Sequence, residues 1–159
     1  MKIPSFILLI VLSASSIDSQ AQTLNSFLGE WKGSGFLMGN EADFQMKWEQ
    51  VLNEQFFKLT FRNSISSASF SMDAHSYYKL MDDGTVSGYW FDSRGISFPL
   101  SGNFKDQTLI IHWGTPEIEQ GRTEYTLLKS NEISVNDFVL RNGEYAQFGE
   151  VTYQLKPNK

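Results

Sequence analysis

The chain has 159 residues, with 13 Lys and Arg against 18 Asp and Glu, and it carries no cysteine. This length predicts one domain with a core of useful size, and 41% hydrophobic with 19% charged residues excludes a disordered chain. A net charge of -5 argues against a nucleic-acid partner, and the lack of cysteine excludes disulfides, thiolate metal sites and a cysteine nucleophile.

Residues 1–21 have the pattern of a secretory signal peptide. A positively charged start is followed by an apolar stretch at 3–12, and small residues stand at Ser19 and Ala21, as signal peptidase requires. The apolar stretch is shorter than the roughly 20 residues that cross a bilayer. We therefore expect cleavage after Ala21, a mature domain at 22–159, export to a periplasm or the outside, and no membrane span.

Beyond the leader the chain predicts strands almost throughout. One short helical turn is expected near 23–29, with Leu24 and Phe27 on its buried side. From there on, apolar and polar residues alternate with a period of two, most clearly over 43–49. The predicted strands are 43–49, 57–62, 75–81, 85–92, 96–103, 107–113, 122–129, 132–140 and 145–155.

Short strands separated by tight turns predict an all-β fold. Asp82-Asp83-Gly84 and Asn142-Gly143 are typical turn sequences between such strands. We expect a single antiparallel up-and-down barrel of 8–10 strands rather than a sandwich, because closure removes exposed strand edges. The Ser-rich residues 64–73 are predicted to be either a mobile loop or a weak strand.

Two stretches carry a family resemblance. Leu28-Gly29-Glu30-Trp31-Lys32-Gly33-Ser34-Gly35 has the Gly-x-Trp element, and Gly88-Tyr89-Trp90-Phe91-Asp92-Ser93-Arg94-Gly95 comes before Trp113-Gly114. In this order they resemble the exported bacterial lipocalin-like (calycin) barrel domains of unassigned function, and more distantly nitrobindin and the fatty-acid-binding proteins. The resemblance implies that Trp31 plugs the closed end of the barrel, that Gly29 allows the chain to enter, and that Lys156 lies across Trp31.

The aromatic content predicts an interior that binds a ligand. The chain has 4 Trp, 6 Tyr and 13 Phe. Alternation places inward Trp48, Phe57, Leu59, Phe61, Tyr78, Leu109, Ile111, Trp113, Tyr125 and Tyr153. Over 88–91 either Trp90 or its neighbours Tyr89 and Phe91 point inward. The predicted ligand-binding residues are Trp48, Phe57, Phe61, Tyr78, Trp90, Arg94, His112, Trp113, Arg122 and Tyr125.

These residues favour a small apolar or amphipathic ligand, with an anionic head group met by Arg62, Arg94 or Arg122 near a rim. An enzyme that uses His112 and Arg94 for acid–base chemistry is the first alternative. We favour a binding protein over an enzyme, because Asp92-Ser93-Arg94-Gly95 is explained as a turn. The second alternative is a filled structural module whose outer aromatic patch mediates homodimerisation.

No cofactor or metal is expected. A haem, as in nitrobindin, would need an axial histidine, and residues 149–157 of the last strand contain none. The two histidines, His75 and His112, lack the spacing of a zinc site.

Overall fold

A computed structural model describes residues 24–157, and in this range the chain forms ten β-strands. Their bounds are β1 Gly29–Leu37, β2 Asn40–Val51, β3 Phe56–Ile65, β4 Phe70–Leu80, β5 Thr85–Asp92, β6 Ser97–Lys105, β7 Thr108–Thr115, β8 Glu119–Lys129, β9 Glu132–Arg141 and β10 Glu144–Leu155. No helix within that range is long and apolar enough to cross a membrane. The predicted signal peptide at 1–21 lies outside the described residues.

The ten strands form one closed antiparallel barrel. Each strand pairs with the next along the chain, and β1 pairs with β10 to complete the ring. The closing seam runs from Trp31 opposite Leu155 to Leu37 opposite Gly149. Because the ring is complete, every strand has two hydrogen-bonded neighbours and no edge is left open. The predicted up-and-down barrel is confirmed.

The Ser-rich segment is part of the barrel wall. Its first residues end β3, a 3₁₀ turn at Ser66–Ala68 reverses the chain, and β4 begins at Phe70. Ile65 pairs directly with Phe70 in the antiparallel register. Ile65 is buried and Phe70 packs against the core. The mobile-loop alternative is therefore wrong, since two apolar residues anchor the segment despite its many serines.

The barrel is closed at one end by the chain that enters it. The described residues begin at Leu24, and the short helix expected near 23–29 is not among their elements. The chain instead makes a turn there, in which the Phe27 N–H donates to the Leu24 carbonyl at 3.0 Å and the Leu28 N–H donates to the Asn25 carbonyl at 3.1 Å. Phe27 is fully buried, and its ring contacts those of Trp48, Phe104 and Tyr125 at centroid distances of 5.7, 6.0 and 6.3 Å. This turn fills the bottom of the barrel.

Trp31 belongs to the same closed end. Its indole Nε1 donates a 2.7 Å hydrogen bond to the Phe27 carbonyl, and its side chain is buried. Gly29 has a φ of +124°, a conformation that favours glycine, where the turn becomes β1. The Lys156 ammonium pairs with Glu30 Oε2 at 3.1 Å. Because Glu30 precedes Trp31 in the chain, this ion pair holds the end of β10 close to Trp31.

Replacing Phe27 with alanine tests this closed end. We expect the free energy of unfolding to fall by about 3–5 kcal/mol, because the change leaves a cavity among packed rings. Phe36→Ala is the control, because the Phe36 ring is 56% exposed on the outer face. This variant should lower the free energy of unfolding by less than about 0.5 kcal/mol. Urea denaturation measures both values, and equal losses would contradict a packed plug at Phe27.

Candidate functional site

The end of the barrel opposite Phe27 contains a cavity. Its volume is about 230 Å³, and it opens toward the β1–β2 and β5–β6 turns and the end of β9, which contribute Met38, Arg94 and Arg141. Aromatic rings form much of its wall, in pairs that contact each other. Phe61 lies 5.6 Å from Trp90, and Phe98 lies 5.5 Å from Trp113, between ring centroids.

One carboxylate lies inside this aromatic wall. Asp137 on β9 lines the cavity, and its Oδ1 accepts a 2.6 Å hydrogen bond from the hydroxyl of Thr123 on β8. Thr123 in turn accepts a 3.2 Å hydrogen bond from Trp113 Nε1. The residue opposite Asp137 is Gly149, where the register of β10 shifts, and a Cβ there would lie 3.0 Å from Asp137 Oδ2. The glycine therefore leaves room for the carboxylate.

Burial raises the pKa of Asp137 to about 6, and the Thr123 hydrogen bond only partly opposes this rise. The side chain keeps some accessible surface, but that surface faces the cavity. Burial also raises the pKa of Tyr78 to about 12, and it raises the pKa values of Tyr125 and Tyr153 well above their usual range. The charge of Asp137 adds to each of these three shifts. The interior therefore holds one weak acid and three protonated phenols.

The mouth carries a neutralised charge pair. Arg94 Nη2 and Nε donate to Asp92 Oδ2 at 2.7 and 3.1 Å, and Trp90 Nε1 donates to the same oxygen at 3.0 Å. Burial raises the pKa of Asp92, but the hydrogen bonds from Arg94 and Trp90 outweigh it and leave that pKa below its usual value. The turn predicted at Asp92-Ser93-Arg94-Gly95 thus exists and also positions Arg94 at the cavity.

The structure brings together part of the predicted site. The predicted residues that line the cavity are Phe61, Tyr78, Trp90, Arg94, Trp113 and Tyr125. Trp90 points inward, while Tyr89 and Phe91 are 57% and 48% exposed on the outer face. Trp48 and Phe57 are buried in the packed core rather than at the cavity wall, and Trp48 stacks on Tyr78 at 5.2 Å.

Two predicted site residues lie on the outer face instead. Strand alternation places His112 and Arg122, which are register partners, on the side opposite Trp113 and Thr123. The Arg122 guanidinium stacks between the rings of Phe138 and Tyr145, at 4.9 and 4.5 Å. His112 Nδ1 lies 3.3 Å from the Tyr145 hydroxyl. The proposed acid–base pair of His112 and Arg94 is therefore not assembled.

Arg62 also does not reach the cavity. Its guanidinium pairs with Asp73 at 3.6 Å, and both side chains are more than half exposed. Of the three arginines expected to meet an anionic head group, Arg94 is the one at the mouth, and its charge is engaged by Asp92.

The most polar part of the site was not predicted from the sequence. Asp137 and Thr123 were not predicted, nor was Asn63, which lines the same cavity and is 3% exposed. The sequence of β9 does indicate the position of Asp137. Alternation places Asp137 on the same inward face as the buried Val135 and Val139. An acidic residue at an inward position of a strand is the pattern that marks such a site.

The described residues offer no cluster for a metal. In the range 24–157, His, Asp and Glu side chains do not gather in groups of three that could hold an ion. The Asp137 carboxylate shares the cavity lining with hydroxyl, amide and indole groups and with the charged side chains of Arg94, Glu119 and Arg141.

A closed ten-stranded antiparallel barrel with a cavity at one end defines a calycin-like fold. A solved structure, that of the S-type phycobiliprotein lyase CPES from Guillardia theta, is similar with a TM-score of 0.61 and 8% identity, over 89% of this chain and 97% of that chain. A redesigned β-barrel matches 85% of this chain and 96% of its own with a TM-score of 0.47 and 10% identity. No family model and no curated protein matches the chain. The likeness shows the fold, and the resemblance to nitrobindin and fatty-acid-binding proteins stays a prediction.

The pKa of Asp137 predicts how stability depends on pH. The pKa of this carboxyl rises from 3.8 in the unfolded chain to about 6 in the folded protein. Between pH 3.8 and pH 6 the folded state therefore binds more protons than the unfolded state. The free energy of unfolding falls as the pH rises through this range. Asp137→Asn removes this penalty. Relative to the wild type, the variant should gain up to about 3 kcal/mol between pH 4 and pH 8.

Urea denaturation of the two proteins at both pH values measures the difference. Other carboxyl groups, including Asp92, are common to both proteins, so their contributions cancel. A difference that does not change with pH would contradict the raised pKa of Asp137.

Proposed function

We propose that the barrel binds one small, largely apolar molecule in its cavity. The observation that carries this proposal is the space of about 230 Å³ inside an aromatic wall, open at one end. Empty apolar space lowers stability, because the side chains around it lack contacts on one side. An occupant would supply those contacts. The cavity also argues against the alternative of a solidly filled barrel.

The size of the cavity limits the ligand. Pockets for drug-sized molecules span roughly 300–1,000 Å³, so about 230 Å³ suits a smaller molecule of one or two rings. That a phycobiliprotein lyase has a similar barrel supports a function located in the barrel itself. The stacked pair Tyr89 and Phe91 on the outer face is the surface that a homodimer would use, and dimerisation stays a prediction.

Filling the cavity should abolish binding. The neutral probe 2-naphthylmethanol is expected to bind the wild type and to quench tryptophan fluorescence, because Trp90 and Trp113 line the cavity. Val139→Phe places a ring in that space and should weaken binding at least about tenfold. Leu140→Phe is the matched control, since alternation puts residue 140 on the outer side of the same strand.

Circular dichroism and urea denaturation verify that both variants remain folded. If the wild type shows no binding at millimolar probe, or if Val139→Phe binds as tightly as Leu140→Phe, the cavity is not the binding site.

We also propose that the protein is exported, so that it meets its ligand in a periplasm or outside the cell. The charged start, the apolar stretch at 3–12 and the small residues before Gln22 support this. Expression in a bacterium should give a protein whose intact mass, measured by mass spectrometry, is that of residues 22–159. Ala21→Trp should retain the leader, because signal peptidase needs a small residue there. A wild-type protein that keeps residues 1–21 would contradict export by this route.

A further inference from the structure

We infer that the ligand carries a protonated amine, and that Asp137 binds this cationic nitrogen on the wall of the aromatic cavity. The inference rests on the proposed function and adds the chemical class of the ligand. It replaces the anionic head group expected from the sequence.

The first observation is that Asp137 has no cationic partner among the described residues. Its Oδ1 accepts the hydrogen bond from Thr123, and within residues 24–157 no ion pair reaches either carboxylate oxygen. A buried carboxylate without a counter-ion is unfavourable, and proteins ordinarily pair such a group. Because the side chain faces the cavity, a cation that enters the cavity reaches it.

The second observation concerns the arginines at the mouth. Arg94 is held by Asp92 through two hydrogen bonds and does not serve as the partner of Asp137. Arg141 also lines the mouth, but its side chain is exposed to solvent. Burial, with no opposing positive charge, governs the titration of Asp137. No side chain of the described residues pairs with the ionised form of Asp137, and a cationic ligand would supply that counter-charge.

The third observation is the wall around the carboxylate. Trp90 and Trp113 line the cavity, and indole faces attract cations. Asn63 lines it as well, and its Oδ1 is a buried acceptor without a partner in the described part of the chain. A protonated amine is a hydrogen-bond donor, so it suits a wall whose acceptors include Asp137 and Asn63. A carboxylate ligand would be repelled by the first and could not donate to the second.

The inference predicts a dependence on pH. The titratable and charged side chains around the cavity are Tyr78, Tyr125, Tyr153, Arg94, Glu119 and Arg141. The three phenols stay neutral because their pKa values are raised, and the Arg94 guanidinium stays charged because hydrogen bonding to Asp92 raises its pKa. Asp137, with a pKa of about 6, therefore changes charge between pH 5 and pH 7.5.

The experiment compares three probes with the same ring: 2-naphthylmethylamine, 2-naphthylmethanol and 2-naphthoate. At pH 7.5, calorimetric titration should show the amine binding at least about tenfold more tightly than the alcohol, and the carboxylate more weakly than either. At pH 5 the advantage of the amine should shrink at least about threefold, because Asp137 becomes protonated.

Asp137→Asn should bring the affinities for amine and alcohol close together at pH 7.5. Asp73→Asn is the control, since it removes a carboxylate from the outer face, and it should keep the full preference for the amine. If the alcohol binds in a manner blocked by Val139→Phe but the amine gains nothing, the inference fails while the proposed function survives. If the preference persists in Asp137→Asn, the inference also fails. If none of the three probes binds, the proposed function falls and the inference with it.

Discussion

The pairing of β1 with β10 is the interaction on which the rest of the structure depends. It converts a meander of ten strands into a ring, so that one face of every strand is enclosed. Gly33 and Gly35 lie at this seam, where a Cβ would collide with the carbonyl groups of Thr152 and Glu150. The two glycines allow the first and last strands to approach closely. Without this closure the interior aromatic residues would lie on an open sheet, and no cavity would exist.

Closure creates an interior, and the entering chain decides how much of it is filled. The N-terminal turn places Phe27 among Trp48, Phe104 and Tyr125, so one end becomes a packed core. The opposite end receives no such plug, and its aromatic residues surround space instead. The packed core and the cavity therefore lie at opposite ends of the barrel.

The alternation of side chains in the sequence predicts the face of each residue but not its height in the barrel. Trp48 and Trp113 have the same inward pattern, yet one lies in the core and the other lines the cavity. Height depends on strand register and on the position of the N-terminal turn, which are long-range properties. The barrel and its aromatic interior could therefore be predicted, whereas the division into core and cavity could not.

The polar residues show a different limit. His112 and Arg122 carry suggestive chemistry, but their positions on β7 and β8 place them outside. Asp137 lacked any motif, although its alternation with Val135 and Val139 placed it inside. For a strand in a closed barrel, the face on which a charged residue lies is more informative than its chemical type.

Asp92 and Asp137 illustrate how the same side chain serves two purposes. Asp92 accepts hydrogen bonds from Arg94 and Trp90, which lower its pKa and stabilise the turn at the mouth. Within residues 24–157, Asp137 receives one hydrogen bond, from Thr123, and burial raises its pKa. Packing alone would favour an apolar residue at position 137, as at the neighbouring inward positions. A group that lowers stability at neutral pH, and that faces the cavity, has the character of a binding residue. A cationic ligand would remove the unfavourable burial of that charge, so the energy lost in folding becomes available for binding.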